Sequence, residues 1–248
     1  MSKYEVLSKQ LDEKMSNKET IYTNRMKLAD LLASDMSLLS ILQRLDIKLG
    51  FGEATIKEIC DRYGISDRLF LMICNIYSFR NYQPQVEALD KNDIGNITTY
   101  LRASHNFYRQ VCFPTIHNKI HKLVESLDSV SRKLIDKFYD DYDKEVNNHF
   151  DYEECTVFPY IEELLSGNSS GNAMYNIRQF EHNHSNIGEK LSDLKNIITK
   201  YIPQEYSSPL MFNILGDIYN IESDLRKHSL IENKILVPLV EKLENSHE

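Results

Sequence analysis

Over most of the second half of this chain the apolar positions recur at steps of three and four. That is the spacing of helices that bury one face. On 209–245 the stripe runs Met211, Ile214, Ile218, Ile221, Leu225, Ile235, Leu239 and Leu243. On 173–200 it runs Ile177, Phe180, Ile187, Leu191, Leu194 and Ile198. Two more long helices are predicted over 96–125 and 129–165, the second ending at the loop-like "SGNSSGN". Short connections between long helices make neighbours antiparallel, so 96–245 reads as an up-down-up-down four-helix bundle in an all-α chain. Residues 25–80 break their apolar pattern every ten to twelve residues, at "LGFGEAT" and "YGISD", as three or four short helices of a small module would. That leaves 1–24 as an N-terminal extension and 81–95 as a linker.

The polar residues that interrupt the long stripes change the picture most. "HFDYEECTVFP" (149–159) and "HSLIENKILVP" (228–238) share one skeleton: His, Glu four residues on, and Pro six after that. His105 precedes His149 by 44 residues, and His184 precedes His228 by the same 44, so the whole element is used twice with a period of 79. Internal repetition of this kind outweighs any single motif. His228 and Glu232 fall in the apolar stripe of their helix, and His184 fits between Phe180 and Ile187. His182, two residues away, points elsewhere. Leu101, Tyr108 and Cys112 share the register of His105, and Leu134, Phe138, Thr156 and Tyr160 continue the line through His149 and Glu153. His117 and His121 lie off the inner stripe and read as solvent-facing, and His247 falls in the tail.

Four histidines and two glutamates directed into one core need a compensating charge, because an unpaired buried charge costs several kcal/mol. Residues i and i+4 stack on one helix face, so each HxxxE offers an imidazole and a carboxylate to the same place. A glutamate can bridge two metal ions roughly 3.5–4 Å apart. With both bridging, each metal would receive two histidines and two carboxylate oxygens, and an oxo or hydroxo bridge would leave one octahedral position open. Imidazole and carboxylate without thiolate suit iron, then manganese, better than a structural zinc site. Glu145, one turn before His149, is a candidate proton or ion relay at the edge, and Tyr108, Tyr142 and Tyr152 lie near the same place.

Composition excludes several classes. A net charge of −8 argues against binding that neutralises nucleic-acid phosphates. No apolar run approaches the roughly 20 residues that span a bilayer, so no membrane partner is expected. The charged start, "MSKYEVLSKQLDEKMSNKET", has no apolar signal core, and the four cysteines form no CxxC pair. A reducing cytoplasmic setting follows, with each cysteine read as a small buried hydrophobe.

"HNFYRQ", "HFDYEECTVFP", "EHNHSNIGEKL" and "HSLIENKILVP" resemble the hemerythrin-like, HHE cation-binding family over about 95–245, and most closely its branch of di-iron proteins for repair of iron–sulfur clusters (the RIC proteins). The resemblance implies a non-haem di-iron centre with His105, His149, His184 and His228 as terminal ligands and Glu153 and Glu232 as bridging carboxylates. It implies nitric oxide or dioxygen as the small ligand, iron–sulfur proteins as partners, and a role in nitrosative or oxidative stress. Oxygen-carrying hemerythrins use an HxxxH where this chain has HxxxE. The module at 25–80 is similar to the short N-terminal domain of the repair proteins, but Gly50 and Phe51 stand where their adjacent cysteines would fall. That departure keeps a second reading open, a protein that binds or senses dioxygen or nitric oxide. A third makes 53–78 a helix-turn-helix regulator, although 25–80 carries eight basic and seven acidic side chains and no basic face.

Overall fold

The computed structural model of the chain describes residues 21–167, 175–183 and 187–247, and these form helices with a single isolated backbone bridge, Lys27 to Thr55. They divide into two compact units, one up to Pro84 and one from Gln85 on.

The first unit holds four short helices: α1 (Leu28–Ser34), α2 (Leu39–Arg44), α3 (Ile56–Tyr63) and α4 (Asp67–Ser78). The breaks foreseen at "LGFGEAT" and "YGISD" are where they were expected. Gly50 and Gly52 take positive φ of 91° and 60°, and Gly64 closes α3 in the left-handed region at φ 67°. Thr55 starts α3 through a capping box with Glu58, and Ser66 caps α4. Residues 1–20 lie outside the described residues.

The second unit is an antiparallel bundle of four arms. The first arm, α5, runs Lys91–Phe107, passes through a π-helical turn at Tyr108–Cys112, and resumes as Phe113–Val124. It begins at Lys91 rather than 96. Asp90 and Asp93 form a capping box, so part of the expected linker is helix, and Gly95 is carried inside it. The second arm, α6, runs Ser129–Tyr152, a π turn at Glu153–Val157, then Phe158–Ser166. The third comprises α7 (Ile177–Asn183) and α8 (Ile187–Asn196), the latter ending in a π turn at Ile197–Tyr201. The fourth, α9, runs Pro209–Ile231, a π turn at Glu232–Leu236, then Val237–His247. The start of α5 meets the end of α6 and of α9, while the start of α6 meets α8 at its far end; that is the antiparallel order expected.

All four π turns have one cause. Each is followed by a proline: Pro114, Pro159, Pro203 and Pro238. Proline has no N–H for the carbonyl four residues back, and its ring clashes with that carbonyl. The residue just before each proline bonds one step further back instead. Phe113 N–H reaches the carbonyl of Tyr108, Phe158 that of Glu153, Ile202 that of Ile197 and Val237 that of Glu232. In α5, α6 and α9 the widened turn absorbs the proline without a break, whereas at Ile202-Pro203 the helix ends.

One expectation on α6 is corrected. The buried line of α6 is Ile135, Tyr139, Tyr142, Val146, Phe150, Glu153, Val157 and Ile161, and Leu134 is 44% exposed. Thr156 and Cys155 face solvent, against the expectation for both, and Tyr160 and Phe138 are half-buried. The inner line sits one residue later than a straight 3.6-residue period through His149 predicts, and His149 is at its edge. On α7, α8 and α9 the expected stripes are buried as read, with Leu243 half-buried at the end.

Candidate metal centre

Midway along the bundle the arms α5, α6 and α9 each turn polar groups inward. His105 closes the first stretch of α5, Glu153 opens the π turn of α6, and Glu232 opens that of α9, one turn after His228. One ligand atom from each of His105, Glu153, His228 and Glu232 lies within 4.8 Å of every other. All four side chains are between 0 and 1% exposed.

The pairing within the group is specific. Glu153 turns Oε2 to His105 Nε2 at 3.0 Å and Oε1 to His149 Nε2 at 2.8 Å, so its two oxygens serve two different histidines. Glu232 Oε1 is 3.0 Å from His228 Nε2. The Nε2 atoms of His105 and His228 are 3.2 Å apart across the bundle. His149 is 7% exposed and completes the group from the edge of α6. The walls are aromatic: the His105 ring stacks on Phe150 at 4.3 Å and on Phe158 at 5.7 Å, and Tyr108 meets His228 edge-on at 5.7 Å. Tyr108 donates its hydroxyl to Asp224 at 2.6 Å.

Two carboxylates at zero exposure facing imidazole nitrogens fit a multivalent cation. Without one, the protein must keep protons there. Burial pulls the His105 imidazolium down, but hydrogen bonds to Glu153 and Glu154 and the fields of Glu153 and Glu232 outweigh it and push its pKa up to about 9. A folded value above the ordinary 6.5 contributes stability that is complete below about 6.5 and is lost as pH rises through about 9. Metal-free protein should therefore lose up to about 3 kcal/mol of stability between those limits, at roughly 1.4 kcal/mol per pH unit. Over the same interval cation affinity should rise, because the ion displaces the proton. Urea melts and cobalt titrations across the range test both, and a flat stability profile would contradict the assignment.

The other expected residues fall elsewhere. His184 and the side chain of His182 lie outside the described residues, as does the side chain of His247. Glu145 pairs with Lys190 on the flank between α6 and α8 and is outside the cluster. His117 and His121 are exposed as expected, with His117 edge-on to Tyr139 at 5.2 Å. Tyr142 is buried, and its hydroxyl has no hydrogen-bond partner among the described residues. Tyr152 shares a hydroxyl contact of 3.1 Å with Tyr175. One residue escaped the sequence reading: Glu154, whose Oε1 is 2.8 Å from His105 Nδ1. The doubled acid in "YEEC" was its only signal.

The family model of the hemerythrin HHE cation-binding domain matches residues 96–244. The chain belongs to that family. No curated protein matched the chain. The match covers the whole bundle from within α5 to within α9, so this hemerythrin-type domain is the unit that carries the His/Glu cluster and binds a cation. No helix among the described residues is long and apolar enough to cross a membrane.

Proposed function

We propose that this hemerythrin-family protein holds a non-haem di-iron centre, binds nitric oxide or dioxygen there, and serves in stress response or iron–sulfur cluster repair. The observation that carries the reading is Glu153, whose two oxygens are divided between His105 and His149 as a carboxylate shared by two metal ions would be. Glu232 beside His228 supplies the second carboxylate, and His184 would complete the ligand set from the third arm. Bound iron supplies reversible electron transfer and affinity for diatomic ligands. The chain's own part is to hold the ions and to select what reaches them. With the side chains of His105, Glu153, His228 and Glu232 at 0–1% exposure behind Phe150, Phe158 and Tyr108, the described walls suit a small uncharged molecule. Glu145 would act as a relay at the rim only if it leaves Lys190.

A second reading, reversible binding or sensing, is supported by the first unit. The turn at Gly50-Phe51 has no thiol, and burial pushes the Cys60 thiol up to about 12 and that of Cys74 well above its ordinary value. Neither is a nucleophile at neutral pH, so transfer through sulfur has no support in that unit.

The test is metal content per chain in protein purified without oxygen, followed by titration of the ferrous form with nitric oxide and with dioxygen. About two irons per chain and a saturable, stoichiometric spectral change with either gas are expected. No bound iron or manganese after anaerobic reconstitution would overturn the reading. A long-lived reversible adduct would favour sensing, and turnover of the gas would favour the repair reading.

A further inference from the structure

Glu153 and Glu154 are neighbours on α6 but point about 100° apart round the helix. They grip opposite nitrogens of one imidazole: Glu153 Oε2 stands 3.0 Å from His105 Nε2 and Glu154 Oε1 stands 2.8 Å from His105 Nδ1. Glu154 is itself held. Its Oε2 is 3.2 Å from Arg102 Nε, and Arg102 Nη2 reaches Glu162 Oε1 at 2.9 Å while its guanidinium lies 5.3 Å over the Phe158 ring. Arg102 sits one turn before His105 on α5, so the brace spans α5 and α6 and reaches the surface, where Glu162 is 54% exposed.

The repeat shows what is particular about this brace. The position 79 residues after Glu154 is Asn233, a neutral amide, whose Oδ1 is buried and has no hydrogen-bond partner among the described residues. At this position the first half of the repeat therefore carries a charge and the second a neutral amide; His184, the counterpart of His105, lies outside the described residues.

From this geometry we infer that Glu154, clamped by Arg102, is a positioning residue: it accepts the Nδ1 proton of His105, fixes the tautomer that leaves Nε2 free for a cation, and so tightens the hold on the cation that His105 ligates. The inference rests on the metal reading above. A carboxylate behind a ligating imidazole fixes the ring and raises its basicity, and losing such a partner typically lowers metal affinity 10–100-fold. Glutamine keeps an acceptor but no charge, and alanine keeps neither, so the two substitutions separate charge from orientation.

The experiment is a Co(II) titration of the parent, Glu154→Gln and Glu154→Ala, with thermal melts of the metal-free forms to confirm that each is folded. The tightest Co(II) step should weaken about 10-fold in Glu154→Gln and towards about 100-fold in Glu154→Ala. In Co(II)-loaded protein the proton on His105 Nδ1 should give a hyperfine-shifted exchangeable NMR line, lost from Glu154→Ala by rapid exchange with water. Unchanged affinity and an unchanged line in folded Glu154→Ala would overturn the inference while leaving the metal reading intact. A parent that binds no Co(II) would overturn that reading and this inference with it.

Discussion

Saturating the metal-free bundle with a divalent cation should raise its melting temperature by roughly 10 °C, and Glu153→Gln/Glu232→Gln should abolish the rise. The argument starts from burial. Glu153 and Glu232 are fully buried, each within 3.0 Å of an imidazole nitrogen, and in the absence of metal only protons compensate their charge. An ion that binds the folded state and not the unfolded chain stabilises it by about 4 kcal/mol at a thousand times its dissociation constant. In a domain of this size each kcal/mol moves the midpoint by about 2–4 °C. Glutamine preserves the shape of both side chains while removing the charge that holds the ion, so the variant should fold and melt at one temperature with or without cation. Differential scanning calorimetry, read at the bundle's transition, decides it. An equal rise in the double variant would mean that the cation binds elsewhere.

How much of this was legible beforehand depended on local geometry. The stripes on α7, α8 and α9 could be read residue by residue, from Ile177 to Leu239, because apolar residues hold steps of three and four along them. His105, Glu153, His228 and Glu232 could be read from the repeat, since polar residues set into apolar stripes at a fixed spacing are costly to bury unless they share a partner. The inner line of α6 could not. A π turn inserts one residue into the period, and its trace in the sequence is only the proline after an apolar residue, as in Phe158-Pro159. That shift is why Thr156 gave way to Val157 on the inner line; in the unbroken stretch before it the line runs through Phe150 and leaves His149 at its edge. The start of α5 was hidden for another reason: "DKNDIGN" is rich in loop formers, yet Asp90 and Asp93 use that chemistry to cap a helix. Glu154 was hidden because stripe analysis discards whatever lies off the line, and a brace between two arms sits off the line by construction.

Phe150→Ala is the single substitution expected to cost the bundle most, about 3–5 kcal/mol. Phe150 is fully buried, and its ring is shared by structure and site. It stacks on His105 at 4.3 Å and on Tyr108 at 5.7 Å, lies 6.5 Å from Phe113, meets His228 edge-on at 6.3 Å, and carries the Arg109 guanidinium 5.5 Å above it. Removing the ring opens a cavity beside a polar cluster and forfeits the stacking, itself worth roughly 0.5–1.5 kcal/mol for an aromatic pair. With a urea slope of about 2 kcal/mol per molar, the midpoint should fall by roughly 2 M while the slope holds. Cation affinity should fall with it, since the His105 ring then turns more freely between Glu153 and Glu154. Phe150→Leu, which refills most of the volume, should cost about 1.5 kcal/mol or less. If instead Phe150→Ala lost under 1 kcal/mol with cation affinity unchanged, the ring would not be the wall on which both core and site are built, and His105 would have to be held by its two glutamates alone.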